Sequence, residues 1–404
     1  MLTQTADATR YIWNHLLEKN STYYALSKAC EGRGKFYSFA DMTKALPFLK
    51  KHNPWLAESG PAIALVYTCR QLDRAMRGAG KNQKHRKGFA KFKSRKHSKQ
   101  SFTVCNQQTT LVGDHLKIGK IGLIRFRGNA VIEGGKLMNC TISQDKCGDW
   151  FAAISYEVPN TPLVPSTDVM GIDMGLSALM TLSDGTKIEN PRFARKAEKK
   201  LARLQRRMSK KKKGSKNRER ARRRLARASR RVARQRKDYI HKATTSVIAK
   251  SSAIAIEDLN VKGMKSGKSR FKRGLRRSLA DASIAEVLFQ LTYKAEKKGI
   301  AVIKADRFFP SSQICSECGG RQPMPLHERE YACGVCGIVI DRDVNAAINL
   351  SKLGSGWPEA KAAPPPSTPV EIPLSGARHQ PRLDMGRRSR KIHVQLALPT
   401  LNAN

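Results

Sequence analysis

Two Cys-x-x-Cys pairs near the C-terminal end of the sequence constrain this chain most. Cys315/Cys318 and Cys333/Cys336 are separated by fourteen residues. Structural zinc takes four thiolate or imidazole ligands at tetrahedral corners, and a two-residue spacer lets one tight turn offer two of them. Four free thiols or a redox pair is the alternative for a single such motif, but two in register point to a closed zinc ribbon. The glycines in Cys318-Gly319-Gly320 and Cys336-Gly337 fit the sharp turns that such knuckles need.

Directly after the second knuckle, an Ile338-Val339-Ile340 run leads to Asp341-Arg342-Asp343-Val344-Asn345 and an Ala/Ile/Leu pattern that predicts a helix. An Asp at such a point commonly serves as a helix N-cap. It gains another meaning if further carboxylates arrive from strand ends elsewhere. Two candidates do. Asp173 sits in the apolar run Val169–Gly175, where a charge is costly unless it is paired or metal-bound. Glu257 ends the buried-type strand Ala253–Ile256, the usual place for a site in an α/β sheet, with Asp258 as its neighbour and competitor.

Charge defines the partner class. Lys and Arg number 77 against 32 acids, for a net charge of +45. A field of this size calls for a polyanion, nucleic acid before an anionic membrane. No run of about 18 apolar residues is present, so no helix is predicted to span a bilayer. No secretory leader is visible, and nine cysteines with five of them scattered suit a reducing compartment. The expected location is the cytoplasm.

Taken in order, residues 1–100 read as a helical lobe ending in a basic, Gly-punctuated run, Arg77 to Lys99. Short β-rich runs follow between 101 and 160, at Ser101–Val104, His115–Ile118, Leu123–Phe126, Leu137–Ile142 and Trp150–Val158, and suggest a small barrel or sheet with a linker to 165. From 166 a third region opens with three strands in meander, the first carrying Asp173. About half of residues 192–237 are Lys or Arg. Leu201, Leu204, Met208, Leu225 and Val232 keep helical register there, which predicts a basic helical hairpin over 192–240 with a narrow apolar seam. Its arginines, Arg203, Arg206, Arg207, Arg220, Arg223, Arg224, Arg227, Arg230, Arg231 and Arg234, are candidate phosphate contacts, against the simpler reading of a solvated face. Val261–Arg277 reads as a lid-like loop, Leu279–Lys298 as one amphipathic helix, Ile300–Lys304 as a strand, and 311–340 as the ribbon. Residues 354–404 read as a disordered basic tail.

The motifs GIDMG, AIEDLN, SSQICSECG and DRDVNAAIN resemble those of TnpB, the OrfB-type protein of bacterial insertion sequences, a relative of type V CRISPR effectors. The resemblance runs from about residue 8 to 353. It implies an α/β multidomain protein: a helical recognition lobe with a small wedge-like β-barrel, then a RuvC-like, ribonuclease-H-like nuclease domain with the zinc ribbon inserted. It maps the family's catalytic acids onto Asp173, Glu257 and the second Asp of DRDVN, Asp343. These would hold two Mg²⁺ ions for phosphodiester hydrolysis, and the four-cysteine Zn²⁺ would be structural. The implied partners are target DNA, a guide RNA derived from the transposon end, and a transposase of the same element. Base pairing would choose the sequence while basic grooves hold the heteroduplex.

One departure stands out. Family members open with a further basic β-strand that ends near a Pro, ahead of the helix at Ala8–Leu17. That strand belongs to the barrel, so an exposed sheet edge is expected here. Two rival functions remain. A cleavage-deficient nucleic-acid-binding regulator, or a truncated transposase-accessory protein, leaves the three intact acids idle. A basic zinc-ribbon structural protein leaves Asp173 and Glu257 unexplained.

Overall fold

The computed structural model describes residues 1–78, 90–95, 98–129, 131–159, 161–162, 166, 168–266, 272–325, 327–353 and 389–398. The chain divides into two units, Met1–Pro159 with Gly386–Asn404, and Asn160–Met385. Most of the basic run expected between Arg77 and Lys99 lies outside the described residues.

The first unit begins with helices α1 (Leu2–Glu31), α2 (Phe39–His52), α3 (Pro54–Glu58) and α4 (Ala62–Gly78). Ile12, Leu16, Leu17, Met42, Leu46, Leu65, Cys69 and Leu72 form their shared core, as the helical spacing predicts. Ser38 caps α2 in a capping box with Asp41. Strands β1 (Ser101–Cys105), β2 (Thr109–Val112), β3 (His115–Ile118), β4 (Gly122–Arg125), β5 (Lys136–Gln144) and β6 (Trp150–Pro159) follow. β2, β3 and β4 make a three-stranded antiparallel meander. β2 is a strand that the sequence reading passes over.

A second sheet has the order β1-β5-β6-β14, where β14 is Ser389–Leu398. Here the tail departs from expectation. β14 pairs antiparallel with β6 along its whole length, from Ser389 opposite Pro159 to Leu398 opposite Trp150. The physical cause is visible in IHVQLAL, residues 392–398: apolar residues alternate at the strand period, and Leu396 and Leu398 are buried. They join Phe102, Val104, Ile142, Ala152, Ile154 and Tyr156 in one core that also takes in Leu2 and Ala6 of α1. An exposed sheet edge was expected; at β6 the edge is instead covered, by a basic strand that ends one residue before Pro399. The rest of the tail, 354–388 and 399–404, lies outside the described residues.

The second unit is built on a five-stranded sheet of order β11-β10-β7-β8-β9. Its strands are β7 (Val169–Asp173), β8 (Ala178–Leu182), β9 (Lys187–Glu189), β10 (Ala253–Glu257) and β11 (Ala301–Ala305). β7, β8 and β9 form the expected antiparallel meander, and β10 lies parallel to both β7 and β11. Helices α5 (Phe193–Ser209) and α6 (Lys216–Lys250) form a hairpin between β9 and β10. Gly214 at φ +88° and the Ser215 N-cap make its turn.

Next come α7 (Val261–Lys265), α8 (Lys272–Ala282) and α9 (Ile284–Lys298). Part of the predicted lid is thus helical, and residues 267–271 lie outside the described ones. The single helix expected over Leu279–Lys298 is two, broken at Ser283 with φ +55°. Asp281 beside the break accepts hydrogen bonds from Ala194 N and Arg195 N at the start of α5 and pairs with Arg236 of α6. The break lets one carboxylate serve both helices. The ribbon strands β12 (Glu330–Ala332) and β13 (Val339–Asp341) pair antiparallel, and α10 (Arg342–Lys352) ends this unit's described chain.

β10 is buried on both sides, as a central parallel strand must be. Ile254 and Ile256 face a core shared with α6 and α9. Ala253 and Ala255 point the other way, into a core with Val169 and with Leu350 of α10. The small residues on that side let α10 lie close. Gly171 of β7 is the tightest point: a Cβ there would stand 1.8 Å from the Ala347 carbonyl oxygen. Only glycine permits that approach.

Candidate active site and metal centre

Strand periodicity places the acids. Asp173 shares a face with Val169 and Gly171, and Glu257 shares a face with Ala253 and Ala255. The face is the same one, and it is the face covered by α10. The parallel register puts Ile172 opposite Ile256, so Asp173 and Glu257 follow side by side at the C-terminal ends of their strands. Asp343 enters from the first turn of α10.

The electrostatics record this meeting. The Asp173 carboxyl titrates at about 7, raised first by loss of water and then by the Glu257 and Asp343 charges, against a Met174 backbone hydrogen bond and Arg342. Three like charges around a desolvated opening are a poor arrangement for a protein alone and a good one for a hard cation.

Asp341 and Asp343 part in the structure, one capping the helix and the other turned toward Asp173. Asp341 is the N-cap of α10: its Oδ1 accepts from Asp343 N at 3.0 Å and Val344 N at 3.1 Å, and Lys187 pairs with its Oδ2 at 2.5 Å. Partial burial works against ionisation, but Lys187 and the helix amides hold the Asp341 pKa below the usual value. Asp343 is left to face Asp173. The competition at β10 resolves similarly. Asp258 turns to Arg307, 2.6 Å away and half exposed, while Glu257 faces the acids.

Residues that sequence reasoning passes over hold this corner together. The Ser311 hydroxyl donates to Glu257 Oε1 at 2.7 Å. Asn349 Nδ2 donates to the carbonyls of Ser311 (2.8 Å) and Ile314 (2.7 Å). Asn345 Nδ2 donates to Ile314 O, and its Oδ1 accepts from Ser316 N at 2.8 Å. A readable signal was present. Two asparagines at i and i+4 on the apolar side of a short helix are costly to bury without partners, so their presence announces partners.

The cysteines form the second centre. All four Sγ atoms lie within 4.8 Å of one another, with Cys315–Cys336 and Cys318–Cys333 each at 3.6 Å. A tetrahedron with Zn–S near 2.3 Å has sulfurs about 3.8 Å apart, so the quartet fits zinc, and a disulfide would be far shorter. Gly319 and Gly337 sit at φ +75° and +73°, and each donates to the carbonyl of its knuckle's first cysteine at 3.0 Å. The Cys336 and Val335 amides aim at Cys333 and favour its thiolate, while the other thiols push Cys336 up to about 12, so the quartet does not ionise as a whole without a cation among the sulfurs. Tyr331, fully buried, packs behind Cys315 and Cys333. Among the described residues this is the one group of three or more His, Cys, Asp or Glu side chains drawn so close.

On the helical hairpin, Arg203, Arg206, Arg207, Arg220, Arg223, Arg224, Arg227, Arg231 and Arg234 are exposed and Arg230 is half-buried. Arg223 is partly neutralised by Glu219, which also binds Arg222.

Residues 153–267 match the sequence profile of the OrfB_IS605 family, described as "Probable transposase", and residues 285–350 match the Cas12f1-like TNB domain. A Streptomyces pristinaespiralis protein named "Putative RNA-guided DNA endonuclease" is 34% identical over 360 residues, which cover 87% of this chain and 85% of that one. The chain belongs to the TnpB, or OrfB-type, family. An Escherichia coli K12 member, named "Putative RNA-guided DNA endonuclease InsQ", is 31% identical over 363 residues, covering 86% of this TnpB-family chain and 87% of its own. In fold, the chain resembles Cas12f1 as solved with its guide RNA and target DNA, at a TM-score of 0.50 and 15% identity over 86% of this chain and 81% of that one. No helix among the described residues is long and apolar enough to cross a membrane.

Proposed function

We propose that this TnpB-family chain is a transposon-associated, RNA-guided DNA endonuclease whose hydrolytic site is Asp173, Glu257 and Asp343. The observation that carries the reading is the convergence of three acids from β7, β10 and α10 on one face of a sheet, with Asp173 raised to about 7 by burial first and then by the Glu257 and Asp343 charges. The sheet would be the RuvC-like nuclease core, within a domain spanning 166–353. Residues 1–100 would serve as recognition lobe and 101–165, with β14, as the wedge-like barrel.

The donor set suits Mg²⁺, which prefers hard oxygen ligands and keeps several waters. Two such ions, when bound to these acids, would supply an activated water and would stabilise the leaving 3′-oxygen. Asp173 and Glu257 hold fixed positions because their strands are locked in register. Asp343 is held by the Asp341 cap and by α10 packing on Gly171. Arg203, Arg206, Arg207, Arg220, Arg223, Arg224, Arg227, Arg230, Arg231 and Arg234 would line a phosphate track for the guide–target duplex, whose pairing supplies sequence choice. Cys315, Cys318, Cys333 and Cys336 would hold a structural zinc that ties the ribbon together, with all four ligands supplied by protein.

The test is plasmid cleavage with Mg²⁺, using protein co-expressed with its flanking transposon end. RNA-dependent cutting that Asp173→Ala, Glu257→Ala and Asp343→Ala each abolish, with RNA still bound, supports the reading. Bound RNA without cutting by the unaltered chain would make it a binding-only regulator. Full cutting by any of the three variants would move the site elsewhere.

A further inference from the structure

The segment Ser311–Ser316 leaves β11 and enters the ribbon, and it touches both metal-binding groups. At one end Ser311 meets Glu257, and near the other Cys315 is a member of the cysteine quartet. Ser311, Ser316, Asn345 and Asn349 are all buried. Ser311, Asn345 and Asn349 each have a defined side-chain partner, and Ser316 joins through its backbone amide.

The backbone of Ser311 is already secured without its side chain. Its amide donates to Phe309 O at 2.9 Å, and its carbonyl accepts from Asn349 Nδ2 at 2.8 Å. The adjoining turn is closed by Gln313 N to Pro310 O and by the two asparagines gripping Ile314 O. The hydroxyl is therefore not spent on holding the loop. It is spent on Glu257. Toward an ionised carboxylate a serine hydroxyl acts as donor. Fixing Oε1 in this way stops the carboxylate from rotating and leaves Oε2 for a cation. The donor itself is fixed by Asn349, which sits on the same helix as Asp343. Two acids from different elements are thus set relative to each other through one serine.

We propose that Ser311 is a positioning residue for Glu257, anchored by Asn349 to the helix that carries Asp343. The proposal rests on the carboxylate reading given above and adds a residue to it. Outer-shell hydrogen bonds to ligating carboxylates commonly set metal affinity by about 10- to 100-fold.

The experiment compares Ser311→Ala, Ser311→Thr and Glu257→Ala in the guide-bound, zinc-loaded protein. Mn²⁺ binding is measured by titration calorimetry, and the Mg²⁺ dependence of plasmid cleavage is measured alongside. Ser311→Ala should weaken Mn²⁺ binding and raise the Mg²⁺ concentration for half-maximal cleavage by about tenfold. Cleavage at saturating Mg²⁺ should recover most of the loss, with little change in melting temperature. Ser311→Thr, which keeps a hydroxyl, should restore both metal readouts. A Ser311→Ala protein with unaltered Mn²⁺ binding and Mg²⁺ dependence overturns the proposal. So does loss in Ser311→Ala that Ser311→Thr shares equally, because the hydroxyl would then not be the cause. Glu257→Ala separates the two levels. If it too leaves Mn²⁺ binding intact, the carboxylate reading has failed. If it abolishes binding while Ser311→Ala does not, only the role of Ser311 has failed.

Discussion

The sheet that ends in β14 and the sheet that carries Asp173 are each completed by a segment from far along the sequence, in different ways. β14 arrives 230 residues after β6, and it brings a row of backbone pairs and two buried leucines. α10 arrives later than every strand it covers, and it brings Asp343, two buried asparagines and almost no bulk where it crosses Gly171. The first closure depends on alternation, which any apolar strand with the right period supplies. The second depends on exact fit, because a helix delivering a carboxylate must approach to a set distance. An edge strand can tolerate a slipped or substituted partner where a helix packed directly on strand backbone cannot.

Removing residues 386–404 is the strongest way to break this contrast. Losing buried Leu396 and Leu398 should cost about 3–6 kcal/mol, enough to threaten the first unit, while the second stays folded. Unfolding followed by Trp150 fluorescence checks this, since Trp150 pairs with Leu398. A peptide of residues 386–404 added in trans should restore the lost stability, because it only needs to lie along β6. Unchanged stability after truncation would show that β14 is dispensable.

The matching change in the second unit is Gly171→Val. The new side chain meets backbone, which cannot swing aside, so α10 must lift by more than an ångström. A loss of about 3 kcal/mol and of all cleavage is expected, and no peptide in trans should rescue it. Denaturant midpoints and plasmid cutting read both effects.

Asp173→Asn sharpens the electrostatic side. A carboxyl whose folded pKa is about 7 disfavours folding wherever the unfolded chain would be ionised and the folded one is protonated or repelled. The penalty is absent below about pH 4, grows as pH rises, and is complete above about pH 7. In zinc-loaded protein without added Mg²⁺, Asp173→Asn should therefore be the more stable form at pH 8, by up to about 4 kcal/mol, and lose that advantage toward pH 4. Saturating Mg²⁺ should reverse the order at pH 8. Melting curves at both pH values, with and without Mg²⁺, decide it.

The smallest effect belongs to Asp341→Ala, which removes the α10 cap and should cost about 1 kcal/mol. Cleavage should fall only partly, because Asn345, Asn349 and Gly171 still hold the helix. Abolished cleavage would promote Asp341 from cap to metal ligand.

Much of the second unit was legible because each element carried a local signature. Asp173 and Glu257 stood out as charges in apolar runs, and the cysteines by their spacing. The tail was misread for a physical reason: IHVQLAL has the strand period, but it follows a Pro-rich stretch, and a lone strand has no meaning until a partner edge is known. Ser311 was invisible because a serine before a zinc knuckle looks like loop, and its worth lies in an acid 54 residues earlier.

What the sequence determined by itself was composition, period and spacing: a charge balance that calls for a polyanion, four cysteines spaced for a metal, and three acids whose order implies a sheet and a helix. These follow from properties that act over a few residues. Only the tertiary structure decided which Asp of DRDVN caps and which faces the site, which acid of Glu257-Asp258 turns inward, and what covers β6. Those choices turn on which face of an element meets which neighbour, and that is fixed by packing between residues far apart in the chain.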